Sequence, residues 1–129
     1  MKLNPDCIRD ILLSVEEQSD FYHETSYRKN NMQLKRLSKY SHDEIVYHIH
    51  QCDLSKLIYG VDYMDGGIHI DIRDLTPSGH EFLANIRNDN FFEKVKSIAG
   101  ELGLHSLTDI SSIALNCASM LIKAHFNLP

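Results

Sequence analysis

A chain of 129 residues is long enough for one domain with a proper core, and 43% hydrophobic with 24% charged residues is the balance of a globular protein. No apolar run approaches the roughly 18 residues of a membrane span, and Met1-Lys2-Leu3-Asn4 leads into no signal-peptide apolar region, so a cytoplasmic chain is expected. Three cysteines, Cys7, Cys52 and Cys117, are odd in number and far apart, which reads as free thiols rather than a disulfide framework.

The net charge of −5 is spread unevenly. Residues 25–40 hold Arg28, Lys29, Lys35, Arg36 and Lys39 with no acid, whereas residues 41–75 hold seven acids against Lys56 and Arg73. Any contact with an anionic polymer should use that basic island.

In chain order, Asn4-Pro5-Asp6 is a helix start, and Ile8, Ile11, Leu12 and Val15 give one apolar stripe, predicting a first helix over 5–18. Residues 19–32 are polar and Asn-rich and read as a loop, and Gln33–Leu37 as a short strand. Ser41 with Glu44 forms a capping box for a helix over 41–53 that buries Ile45, Ile49 and Cys52. Leu57-Ile58-Tyr59 and the alternating Ile68–Arg73 run, joined through Asp65-Gly66-Gly67, predict a β-hairpin across 57–74 with a tight primed turn. Thr76-Pro77 opens a helix over 76–88, with Gly79, Phe82, Leu83 and Ile86 facing inward. A fourth helix is expected over 90–100, and a fifth over 108–125.

The expected core contains Ile8, Leu12, Ile45, Ile49, Ile70, Ile72, Phe82, Leu83 and Ile86. The last helix is apolar over more of its circumference than one core face requires, so Ile113, Leu115, Met120, Leu121 and Ile122 are expected to supply a homodimer contact, within a C-terminal segment 106–129 of the single domain 1–129.

Constellations that carry chemistry are sparse. Glu44, His48 and Cys52 share one helix stripe at i, i+4, i+8, but no second ligand pair appears, and eight histidines alone do not make a site. His48 and His80 read instead as partly buried polar residues tying helix to helix. Ser78 lacks a nucleophile elbow, and no phosphate-binding glycine loop is present. The residues predict no enzyme, no metal and no cofactor.

Helix, hairpin, helix over 41–83 is the layout of a winged-helix domain, an α+β fold, here with extra C-terminal helices. The runs Asn4–Leu13, Glu44–Ile49 and, above all, Leu75-Thr76-Pro77-Ser78-Gly79-His80-Glu81-Phe82-Leu83 resemble domain-of-unknown-function family 2513. The resemblance implies a small winged-helix protein of Gram-positive bacteria and their phages, often guessed to regulate transcription in mobile elements, with no binding residues to carry over. It also favours pairing His48 with His80.

The expected function is therefore binding rather than catalysis: a DNA-binding regulator whose phosphate contacts come from Arg28, Lys29, Lys35, Arg36 and Lys39. The rival is an acidic interaction module, a phage-encoded inhibitor or adaptor whose 41–75 surface meets a basic, nucleic-acid-handling protein.

Overall fold

The computed structural model describes residues 1–127. The order is α1 (Pro5–Gln18), β1 (Thr25–Arg28), a 3₁₀ turn (Lys35–Leu37), α2 (His42–Leu54), β2 (Ile58–Tyr59), β3 (Asp62–Met64), a second 3₁₀ turn (Asp65–Gly67), β4 (His69–Ile72), β5 (Asp74–Leu75), α3 (Pro77–Ile86), α4 (Asp89–Leu102) and α5 (Leu107–Phe126). The fold class is α+β, five helices with small antiparallel sheets. All five helices lie where capping and periodicity put them, to within two residues. Asn4, Ser41, Thr76, Asn88 and Ser106 each accept a backbone N–H from the first turn of the helix they open.

One apolar cluster gathers all nine expected core residues, with Leu37, Tyr27, Phe92 and Val95 added from elements between and after them. The hairpin keeps one register throughout: Ile58 sits opposite Leu75 and, further along both strands, Asp62 opposite Asp71. It is interrupted at Gly60, where φ is +62 and a Cβ would stand 2.5 Å from that of Arg73. The ladder therefore divides into β2–β5 near the helices and β3–β4 toward the tip.

Three local expectations are corrected. The segment 19–32 is not all loop: Thr25–Arg28 pairs antiparallel with β4, giving a three-stranded sheet of order β1-β4-β3. Thr25 and Tyr27 are buried while Ser26 and Arg28 are exposed, an alternation hidden from a reading that looks for aliphatic residues. Gln33–Leu37 is not a strand, because Leu34 and Leu37 both turn into the core from a single 3₁₀ turn. The hairpin tip is no two-residue primed turn either. Asp65, Gly66 and Gly67 all take positive φ, and Ile68 then adopts helical angles, so it points to solvent and the inward alternation begins only at Ile70.

The return from hairpin to α3 is the tightest junction in the chain. The Thr76 hydroxyl donates to the Lys56 carbonyl at 2.6 Å and accepts the Gly79 N–H at 2.9 Å, while the Thr76 N–H donates to the Leu57 carbonyl at 3.0 Å. A Cβ on Gly79 would lie 2.0 Å from that same Leu57 oxygen. Only glycine lets the first turn of α3 rest on the Leu57 backbone, just ahead of β2.

The expected pairing of His48 with His80 is also corrected. His80 is exposed, whereas His48 is fully buried and joins α2 to the start of α1: its Nε2 accepts the Asn4 N–H at 2.7 Å, and its Nδ1 donates to the Glu44 carbonyl at 2.6 Å. Across the other side of α1, Arg87 makes a two-pronged contact with Glu16 at 2.9 and 2.5 Å, which holds that carboxyl below its ordinary range.

Gly79→Ala is expected to cost at least about 2 kcal/mol in urea unfolding, because neither backbone segment can yield the missing space. His48→Phe keeps the shape and leaves the Asn4 N–H without its acceptor, for an expected cost of about 1–3 kcal/mol. Unchanged stability in either variant would remove that contact from the account.

Candidate nucleic-acid interface

The helix before the hairpin, the hairpin tip and the end of β1 meet on one side of the molecule. Tyr27 on β1 reaches α2 through its hydroxyl, 2.6 Å from His42 Nδ1, with the two rings stacked at 5.7 Å between centroids. One turn along α2, Val46 lies beneath Gly67 of the tip, 3.2 Å from where a Cβ would be. Further along, Tyr63 on β3 donates to Asp53 at 2.9 Å and sits 3.3 Å from His50 Nδ1, and burial followed by the Asp53 bond raises its phenol pKa. Residues His42, Val46, His50 and Asp53 thus lean on the sheet, leaving Asp43, Tyr47 and Gln51 on other sides of the helix.

The basic island divides. Arg36 is held by Glu17, its Nε 2.8 Å from the carboxylate, and Lys39 stands 3.1 Å from Asp10. Both acids belong to α1, so much of the charge of these two cations is spent inside the chain. Arg28, Lys29 and Lys35 make no ion pair among the described residues. Arg28 lies opposite His69, and the Lys29 N–H donates to the Ile68 carbonyl at 2.9 Å, so β1 delivers two exposed cations directly beside the hairpin tip. Sequence reading placed these two in a loop and could not join them to the tip. The signal was the Thr25/Tyr27 alternation. Lys35 is exposed on the 3₁₀ turn that precedes α2.

The outer face of the sheet carries Ser26, His69 and Asp71. Asp71 accepts the Ser26 hydroxyl at 2.7 Å and lies 2.8 Å from His69 Nε2. With the carboxylate between them, the histidine is not placed to take the serine proton, which a nucleophilic serine needs. Cys7 and Cys52 are fully buried, and desolvation pushes the Cys7 thiol up to about 12 and raises that of Cys52 as well, away from the reactive thiolate. In the Glu44–His48–Cys52 stripe both nitrogens of His48 are already engaged, leaving no lone pair for an ion. No group of three or more His, Cys, Asp or Glu among the described residues is arranged to hold a metal.

The five residues named from sequence as a dimer contact also divide. Ile113 is taken into the protein's own core, while Leu115, Met120, Leu121 and Ile122 are exposed on α5. No helix among the described residues is long and apolar enough to cross a membrane.

A Haemophilus influenzae protein described as uncharacterized is 29% identical over 124 residues, covering 95% of this chain and 99% of the relative. No solved structure matches. The family model described as "Hypothetical protein (DUF2513)" matches residues 2–105, from the start of α1 through the hairpin, the tight Gly79 junction and α4. The chain belongs to the DUF2513 family.

Proposed function

We propose that this is a winged-helix protein that binds duplex DNA as a small regulator, working as a homodimer in the cytoplasm of a cell that carries it on a phage or mobile element. The sheet order β1-β4-β3, with α2 inserted between β1 and the hairpin, supports the winged-helix reading. In it α2 takes the place of the major-groove helix and β3–β4 that of the wing. One observation carries the nucleic-acid reading: Arg28 and Lys29, without acidic partners among the described residues, stand beside the wing tip where a DNA backbone would pass. Base reading would fall to Tyr47 and Gln51 on α2, and glutamine is a natural adenine partner.

A second reading has its own support. Asp43, Asp62 and Asp65 are exposed and make no ion pair among the described residues, so the α2 start and the wing present acids to any partner. A basic, nucleic-acid-handling protein would fit that surface, with this chain acting as its inhibitor or adaptor.

Titration of a labelled duplex at several salt concentrations separates the two. Contacts by Arg28, Lys29 and Lys35 predict a log–log salt slope of about −2.7 per chain, and steeper if Arg36 and Lys39 exchange their acids for phosphates. Arg28→Glu with Lys29→Glu is expected to abolish binding, while Asp62→Asn with Asp65→Asn leaves it equal or stronger. Binding indifferent to Arg28 and Lys29, or none on any duplex at low salt, would favour the protein-partner reading, in which the two aspartate changes weaken the complex instead.

A further inference from the structure

Two turns come together at the far end of the three-stranded sheet. The first follows β1: the Asn31 N–H donates to the Arg28 carbonyl at 3.4 Å, and Arg28, Lys29, Asn30 and Asn31 are all exposed. The second is the hairpin tip, Asp65–Gly67, which hands on to Ile68. The Lys29 N–H bonds the Ile68 carbonyl at 2.9 Å, so the two turns lie side by side. Ile68 is the odd member of this edge. It is 43% exposed and outside the apolar core, in a run whose other isoleucines, Ile70 and Ile72, are buried.

The composition of this edge selects a surface. Two unpaired cations beside two side-chain amides and one exposed aliphatic side chain match a narrow anionic groove whose floor offers acceptors and no donor. The minor groove over A·T pairs is such a groove: its floor carries adenine N3 and thymine O2, whereas guanine adds an amino group. At roughly 6 Å wide it admits the side chains of a turn and excludes a helix. Helix α2 could not supply this contact in any case, since His42–Leu54 carries Asp43, Glu44 and Asp53 with no lysine or arginine. We infer that the edge formed by residues 28–31 and 65–68 docks in the minor groove of A·T-rich duplex DNA. Arg28 and Lys29 take the phosphates of the groove walls, and Asn30 and Asn31 donate amide N–H groups to the base acceptors. Ile68 lies against the floor, where a guanine amino group would be desolvated without a partner. A·T tracts also narrow the groove, which brings both walls within reach of the two cations. Asp65 opens its turn on the β3 side of the sheet, with β4 between it and β1, and Asp71 is engaged by Ser26 and His69. The inference rests on the DNA reading above and names the groove and base composition that this edge recognises.

Fluorescence anisotropy of the full chain on three labelled duplexes of equal length tests it, one rich in A·T pairs, one in G·C and one in inosine·C. Inosine·C keeps the G·C pattern in the major groove but lacks the guanine amino group, so it resembles A·T in the minor groove. Wild type is expected to bind the A·T and inosine·C duplexes alike, and each about tenfold or more tighter than G·C. Asn30→Ala with Asn31→Ala and Ile68→Ser, with circular dichroism unchanged, is expected to bring that ratio below about twofold while the salt slope stays that of wild type, because the phosphate contacts remain. Inosine·C binding as weakly as G·C would place the discrimination in the major groove and overturn the inference. Equal affinity for all three duplexes overturns it too, as does an A·T preference that survives the triple change. Each of these outcomes leaves the DNA reading standing, whereas no binding to any of the three at low salt removes both.

Discussion

The approach of α3 to the Leu57 carbonyl is the constraint on which the arrangement turns. A helix that must rest its first turn on a neighbouring backbone carbonyl has to give up a side chain there, and Gly79 does so. Thr76 then fastens the contact from both directions, capping α3 while donating to the Lys56 carbonyl. This junction fixes where the hairpin ends and therefore its register, since Leu75 is held opposite Ile58 just before the cap. With that end clamped, the ladder breaks at Gly60 and Arg73, and the distal part of the hairpin pairs with β1 while leaning on α2. The Leu-Thr-x-x-Gly string is thus a mechanical necessity of the fold.

Charge follows the same division. The cations of Arg36, Lys39, Arg87 and Lys96 are used to tie other segments onto the acids of α1, where partial exposure and salt keep each pair's contribution modest. Arg73 is also spent internally, on the backbone carbonyls of Asp20 and Phe21. Of the basic island, Arg28 and Lys29 at the hairpin tip and Lys35 ahead of α2 are left without an acidic partner among the described residues, as are Lys2, Lys56, Lys94 and Lys123 elsewhere. An acidic protein can still offer a phosphate-binding edge, provided its remaining acids lie away from the path of the backbone, and Asp62 and Asp65 are the test of that condition.

How far the sequence disclosed this depends on how loudly each signal is written. Helices announced themselves through caps at Asn4, Ser41 and Thr76 and through apolar residues at helical spacing, and all five appear. The hairpin was legible from its alternating isoleucines. β1 was not, because its inward positions are Thr25 and Tyr27, polar enough that a burial pattern resembles a loop; their hydroxyls are satisfied by Ser19 and His42, contacts no local reading supplies. For the same reason the basic island looked like one patch, when α1 in fact claims Arg36 and Lys39. His48 was recognised as a buried tie, but its partner was the backbone of Asn4, distant in sequence and invisible to spacing rules. The wide apolar sector of α5 was evident, yet only the extent of the body beneath it distinguishes Ile113 from Leu121.

The measurement that bears most directly on the central claim is backbone amide mapping by NMR while a short duplex is added to the full chain. If Arg28 and Lys29 bring a DNA backbone to the hairpin tip beside α2, the perturbed amides should cluster at 28–31, 65–68 and 43–51, from three segments distant in sequence and joined only by the fold. Perturbations confined to α5 or the 19–24 loop, or no change under low-salt conditions, would contradict it.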